Sequence, residues 1–364
     1  MSKGEKNIMK KCIKRILSFV MAITMMFSVS NPIMAKESNT QDKNGNTVAD
    51  MQATGGLSSC VKFGNTIYYT INFEPCEGIY ALGKNKTKST RILKKHGGFT
   101  DLSHYGKWMY FIWDKDGGGN GCSITSNSWL CKVNLNGTGF EQICRASSCM
   151  IRDDILYYQK CKYGIDPYNG CLSDVEIGKI GKIDLRTGQK SLLPGSNMYL
   201  VALQKNKIYY YSYDKSENTS IVYSMNENCK NKKKLFMQKD PWRWDPKIIY
   251  NNSLYWIDNN TLYRFYLSSG KVDNLCSVNE SYVDIVDIKD GKVYILDSKK
   301  LYSVSIKSGK KKYIFTTNGY ECDIQDNYIL YTKGIMRKSV PYQGLFCYNR
   351  KVKKTVKLQH WYIQ

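Results

Sequence analysis

The chain has 364 residues, with 54 Lys and Arg against 31 Asp and Glu, a formal net charge of +23, and 13 cysteines. No Cys-x-x-Cys occurs, which argues against a zinc ribbon or a thioredoxin-type redox site. After the first 35 residues no stretch is long and apolar enough to be read as a transmembrane helix.

The first 35 residues read as a targeting segment. Lys3, Lys6, Lys10, Lys11, Lys14 and Arg15 form a basic start, and Ile16 to Val29 is a mostly apolar run of 14 residues. That run is shorter than the roughly 20 residues a bilayer span needs, so the segment is expected to be a secretory signal cleaved after Ala35. Cys12 precedes the apolar run, the wrong place for a lipid-bearing cysteine. Residues 36–54 are polar and lack aromatics, as a disordered leader would. Residues 55–364 carry one continuous pattern and are read as a single domain. The mature protein is therefore expected to be a secreted monomer, extracellular or associated with the cell wall.

Within that domain one phrase recurs seven times: a Gly/Asn/Asp turn followed by an aromatic-rich strand. Examples are Phe63–Thr70 (FGNTIYYT), Lys205–Ser212 (KNKIYYYS), Asn251–Asp258 (NNSLYWID) and Asp290–Asp297 (DGKVYILD). Aligned on the apolar residue before a Tyr, the repeats fall at Ile67, Met109, Ile155, Ile208, Leu254, Val293 and Ile329. Each repeat parses as four strands. The sixth shows this most openly, with Tyr282–Ile288, Val293–Leu296, Leu301–Ile306 and Lys312–Phe315 separated by Asp290-Gly291, a short loop and Ser308-Gly309. Asn136-Gly137, Thr187-Gly188 and Ser269-Gly270 repeat the last turn, supplying the positive φ that a tight hairpin requires. Repeats of this length made only of strands predict an all-β fold, a seven-bladed β-propeller, with six or eight blades as alternatives.

The pairs Ile208-Tyr209-Tyr210 with Ile221–Met225, and Leu254–Asp258 with Leu262-Tyr263-Arg264, resemble the YWTD-type propellers of low-density-lipoprotein-receptor-like proteins. They resemble more closely the secreted propellers of low-GC Gram-positive bacteria. The resemblance covers nearly the whole mature chain and implies architecture, since fold alone does not transfer function.

Residues 1–35 contribute +5, leaving about +18 on the mature chain, a field that attracts polyanions. The runs Lys230–Lys234, Lys310–Lys312 and Arg350–Lys354 fall in or beside tight turns, where they read either as solvated turns or as an anion-binding surface. The 12 cysteines after Cys12 allow disulfides in an exported chain. Cys161 and Cys171 flank one loop and Cys122 and Cys131 another, each pair positioned to staple a hairpin. Cys60 and Cys322 hold equivalent places in the first and last repeats.

Loops between second and third strands, and those between blades, share one face of a propeller. On that face the long loops are Trp113–Cys122, with Asp114 and Asp116, and Cys161–Cys171, with Tyr163, Asp166 and Tyr168; Trp242, Arg243 and Trp244 enter repeat five. Long loops in a tight repeat are where binding concentrates, and exposed Trp, Tyr and Arg dominate such surfaces. Asp114, Asp116 and Asn120 suggest a calcium loop, but Thr125 stands where a bidentate Glu is needed; no metal or other cofactor is expected. There are three histidines, His96, His104 and His360, the first two near a blade junction without an obvious Ser or Cys partner, and no hydrolase, zincin or phosphate-loop motif occurs. The reading is a non-catalytic binding module for an anionic cell-wall polymer, a glycan or an extracellular protein, with no specific nucleic-acid role. The alternative is a polysaccharide lyase or glycosidase using carboxylates from several blades, for example Asp114 and Asp166.

Overall fold

The computed structural model describes residues 60–72, 75–116, 127–165, 172–204, 206–214, 217, 219–239, 248–258, 260–278, 283–297, 299–317, 319, 322–337 and 340–362. The chain divides into two units, Met1–Ser38 and Asn39–Gln364. The proposed signal and leader lie outside the described residues, and the described strands belong to the second unit.

Among the described residues the strands fall into seven antiparallel sets of four, one strand serving two of them. Blade one holds β1 (Cys60–Phe63), β2 (Thr66–Ile71), β3 (Gly78–Leu82) and β4 (Ser89–Leu93). Blade two holds β5 (Gly98–Tyr105), β6 (Trp108–Asp114), β7 (Ser128–Asn134) and the first half of β8 (Glu141–Arg152). The second half of β8 opens blade three, with β9 (Ile155–Ile165), β10 (Leu172–Asp184) and β11 (Lys190–Leu192). Blade four holds β12 (Tyr199–Gln204), β13 (Lys207–Asp214), β14 (Thr219–Asn226) and β15 (Lys233–Lys239). Blade five holds β16 (Ile248–Tyr250), β17 (Ser253–Asp258), β18 (Thr261–Tyr266) and β19 (Val272–Ser277). Blade six holds β20 (Val283–Lys289), β21 (Lys292–Asp297), β22 (Lys300–Ser305) and β23 (Lys311–Thr316). Blade seven holds β24 (Cys322–Gln325), β25 (Tyr328–Arg337), β26 (Val340–Asn349) and β27 (Lys354–Tyr362). Because β8 pairs with β7 through its first half and with β9 through its second, blades two and three fuse into one seven-stranded sheet.

Each second strand is buried on both faces, which is why these segments read as nearly continuous apolar and aromatic runs. The residue next to each first turn is a core anchor: Ile67, Met109, Leu156, Ile208, Leu254, Val293 and Ile329 are all at most 2% exposed. Six match the sequence alignment. In blade three the register Arg152↔Ile155, Ile151↔Leu156 puts Leu156, not Ile155, at this place. With a period of two, a one-residue slip moves a side chain to the other face. Two residues further on, four blades pair aromatics directly across β2/β3-type hairpins: Tyr69 with Tyr80, Tyr210 with Tyr223, Trp256 with Tyr263 and Tyr331 with Phe346, at centroid distances of 5.1–5.5 Å. In blade three the partner is Gly181, and the Tyr158 ring fills the space a Cβ would take, 2.1 Å away.

Seven apolar clusters hold the blades together, one at each junction. They join blades one and two, two and three, three and four, four and five, five and six, six and seven, and seven and one. The last of these closes the ring: Cys60, Ile67, Tyr69 and Leu82 of blade one pack with Leu330, Leu345 and Cys347 of blade seven. Gln325 Nε2 donates to the Cys60 carbonyl at 3.4 Å, Gln359 Nε2 to Ser89 Oγ at 3.2 Å, and Lys62 pairs with Asp326. Among the described residues no strand of one terminus enters the sheet of the other, so side-chain packing makes the seam.

A second regularity sits in the outer strands. In six blades the ladder between third and fourth strands skips one residue, a β-bulge, and the skipped residue is Ile92, Ile143, Leu235, Leu275, Ile314 or Leu358. Each of these six packs against the cluster at its blade junction. The turn before each fourth strand ends in a left-handed residue: Lys86, Gly137, Gly188, Cys229, Gly270, Gly309 and Lys353, with φ from 51° to 88°.

Candidate functional site

The hairpins of β6–β7 and β9–β10 emerge at the same end of adjacent blades, and β8 runs between them. In the β6–β7 hairpin Trp113 lies opposite Trp129, and Asp114 opposite Ser128. In the longer β9–β10 hairpin, Tyr163 lies opposite Asp174. Arg145, opposite Trp129 on β8, connects the two.

Its guanidinium sits between two rings, with Cζ 4.8 Å from the Trp129 centroid and 4.9 Å from that of Tyr163. Arg145 Nη1 donates to Asp174 Oδ1 at 3.2 Å and to Asn127 Oδ1 at 3.1 Å. The Asp174 side chain is only 3% exposed, and its other oxygen accepts the Ser128 N–H. A buried carboxylate needs such compensation, because an unpaired charge is costly away from water. Beside Asp174, the Cys161 thiol is pushed well above its usual range by burial first and by that carboxylate second.

Two ammonium groups extend the cluster. Lys115 Nζ lies 5.3 Å from the Trp113 ring centre and 5.1 Å from Trp129, and Lys95 Nζ lies 4.9 Å from Trp113 and 4.2 Å from Phe140. Such cation–ring contacts strengthen where water is partly excluded. Trp113 is fixed by its Nε1–H, which donates to the His96 carbonyl at 2.8 Å. The result is a half-exposed surface of Trp113, Trp129, Tyr163, Arg145, Lys95 and Lys115, built from three adjacent blades.

The sequence-predicted residues divide accordingly. Trp113 and Tyr163 belong to this surface. Asp114 is at its edge, where its Oδ1 accepts the Asn127 N–H at 2.8 Å and the Asp116 N–H at 3.2 Å; Asp116 itself is exposed. Asp166, Tyr168, Trp242, Arg243, Trp244, Cys122 and Cys171 lie outside the described residues. Cys131 and Cys161 are thiols here. Among the described residues no three His, Cys, Asp or Glu side chains converge to hold a metal ion. Sequence reasoning did not find Trp129, Arg145, Asp174, Lys95 or Lys115. One signal was available: Trp113 and Trp129 bracket a single long loop.

A second polar group sits on the inner strands of blades six, seven and one. Lys289 Nζ contacts Asp287 Oδ2 at 2.6 Å and donates to the Ile324 carbonyl at 2.9 Å. Asp323 Oδ1 accepts from Gln325 Nε2 at 3.0 Å. Asp323 keeps a partial opening to solvent but is otherwise enclosed by protein. Burial raises its carboxyl to about 6, and the negative charge of Asp287 adds to the rise. Asp287 is raised as well, again mainly by burial and against the pull of Lys289. The neighbouring Cys60 thiol is pushed up by burial and by Asp323.

No protein-family model matches this sequence, nor does any curated protein. Solved structures do match in fold. The β-propeller domain of the trilobed protease from Pyrococcus furiosus, described as having an open velcro topology, aligns with TM-score 0.52 and 14% identity over 86% of this chain and 100% of its own. An acylaminoacyl peptidase aligns with TM-score 0.52 and 13% identity over 83% of this chain; this chain spans 52% of that peptidase. A nidogen/laminin complex aligns at TM-score 0.40 and 11% identity, over 68% of this chain and 88% of that one, too loosely to carry the YWTD resemblance further. The chain is a β-propeller: its successive antiparallel sheets, the apolar clusters between them and its fold neighbours agree.

Proposed function

We propose that this β-propeller is an exported, non-catalytic binding module that engages a glycan or cell-envelope polymer across the hairpins of blades two and three. The observation carrying this reading is the Arg145 guanidinium held between Trp129 and Tyr163 by the buried Asp174. A preordered guanidinium with aromatic walls suits a sugar ring bearing an acidic group: the walls take the C–H faces and the cations take the charge. Little ordering is needed on binding, because Asp174 and Asn127 already hold the arginine.

Co-sedimentation of the mature protein with purified Gram-positive cell walls, with and without their anionic polymers, across a salt series tests this. Trp129→Ala and Tyr163→Ala are expected to weaken binding about tenfold or more at high salt, where screening removes diffuse attraction. Binding that ignores both substitutions, or that vanishes by moderate salt, would remove this site from consideration.

A second reading rests on the two raised carboxyls. Asp287 and Asp323 come from different blades, and a carboxyl raised to about 6 suits a general acid near neutral pH. In this reading the protein cleaves an acidic polysaccharide from the inner strands. Reducing-end release that Asp323→Asn abolishes supports it; no turnover over a panel of acidic polysaccharides counts against it.

A further inference from the structure

The lysine runs of this chain are not spread evenly. In the structure they gather on the face opposite the hairpins of blades two and three, in the turns between third and fourth strands. The turn segments of blades six, seven and one (305–313, 349–357 and 83–91) contain no Asp or Glu. Blades six, seven and one are consecutive round the ring, joined by the two junction clusters on either side of blade seven.

Within these turns, lysines that serve the fold can be told from those that do not. Lys86 is buried, and its Nζ donates to the carbonyls of Leu82 and Gly83 at 3.3 and 3.1 Å. Lys311 turns inward to Asp297 at 2.6 Å. By contrast, Lys84 and Lys88 of blade one, Lys310 and Lys312 of blade six, and Lys351 and Lys354 of blade seven are exposed. Among the described residues, none of these six forms an ion pair. In blades three and five the equivalent turns pair their acids within the turn, Asp184 with Arg186 and Asp273 with Lys271, whereas in blade four Glu227 is engaged by Arg152 of blade three beside the exposed Lys230–Lys234 run.

We infer that this arc of outer turns across blades six, seven and one, set outside the inner turns that carry Asp290 and Asp326 on the same face, is a second binding site, for a linear acidic polysaccharide, on the face opposite the aromatic cluster. The arc is chiefly lysine, a compact point charge on a flexible stem, whereas stereospecific phosphate recognition favours the guanidinium fork. Stacking platforms for nucleic-acid bases would be aromatic, and the exposed aromatic in these turns is Tyr313 alone. Lysines spaced along a curved rim fit a polymer whose charges recur along its length and which needs no fixed register. With one face on the polymer, the opposite hairpins point away from it, free for a second ligand.

The test is retention of the mature protein on immobilised heparin, a linear acidic polysaccharide, across a salt gradient. One variant carries Lys310→Glu, Lys351→Glu and Lys354→Glu; a charge-matched control carries Lys190→Glu, Lys230→Glu and Lys233→Glu on blades three and four. The arc variant is expected to bind at least tenfold more weakly at about 0.15 M salt, and the control within about threefold of the parent. Equal losses in both would mean that net charge alone acts, and unchanged binding by the arc variant would place the polymer elsewhere; either overturns the inference. Lys→Gln at the same three positions repeats the test should the reversals impair folding. Heparin retention that falls with Trp129→Ala and not with the arc variant would assign the polymer to the hairpin site and overturn the inference.

Discussion

A Cβ on Gly137 would lie 2.0 Å from the carbonyl oxygen of Ile92, so the turn of blade two rests directly on the bulge of blade one. Gly309 of blade six stands in the same relation to Leu275 of blade five, 2.2 Å from its carbonyl oxygen. The bulge pushes a backbone carbonyl outward, and the next blade approaches it through a residue without a side chain.

Gly137→Ala and Gly309→Ala should therefore destabilise far more than the same change at Gly270, which has a similar φ of 73° but nothing within 4 Å of its Cβ position. At Gly270 only the left-handed backbone is strained, about 1 kcal/mol. At Gly137 and Gly309 backbone must also shift, and the expected loss is about 3 kcal/mol or more. Urea unfolding of the three variants checks the ordering, and equal losses would show that the contact is not limiting.

Lys353 holds the corresponding turn of blade seven at φ 51° with an exposed side chain. Lys353→Gly should stabilise by roughly 0.5 kcal/mol, the relief of left-handed strain less the extra freedom glycine has when unfolded. A small rise in thermal midpoint is the expected result; a fall would mean the lysine contributes contacts of its own.

Arg145→Ala leaves the Asp174 carboxylate enclosed without its counter-ion. The expected loss is about 3 kcal/mol, the order found when one partner of a buried pair is removed. Arg145→Lys should recover part of this stability but not the ring contacts on both sides, because an ammonium cannot stack as a guanidinium does. If the lysine variant both folds and binds like the parent, the planar arrangement is irrelevant to recognition.

Asp323 makes the closing seam sensitive to pH in a definite direction. Its native carboxyl titrates at about 6, above the ordinary 3.8, so the folded state holds the proton more tightly than the unfolded chain. Its contribution to stability is greatest below about pH 4 and falls as pH rises through about 6, by about 2 to 3 kcal/mol in all. Chemical unfolding of the parent and of Asp323→Asn at intervals from pH 4 to pH 7 isolates this term. The difference between the two should narrow or reverse as pH rises, and a constant difference would contradict the raised carboxyl.

The repeat was legible because its determinants are local. Anchors such as Ile208 and Val293 precede aromatic strand residues at a constant place, and Gly188, Gly270 and Gly309 mark turns that need positive φ. The same turn in blades one, four and seven is made by Lys86, Cys229 and Lys353, residues with no turn preference, so those boundaries were visible only by analogy with their neighbours. The anchor of blade three slipped by one because Ile155 and Leu156 are equally apolar, and only pairing with Ile151 or Arg152 distinguishes them.

The amino-acid order by itself determined the class of fold and the face on which the longest described hairpins emerge, since strand alternation and turn chemistry act over a few residues. Only the tertiary structure decided which charges meet. Arg145 finds Asp174 across 29 positions and Asp323 feels Asp287 from the next blade, while the lysines of blades six, seven and one become one surface through ring closure. Those relations depend on β8 serving two blades and on the packing of the seam, and no local pattern encodes a contact between residues brought together by the closing of a ring.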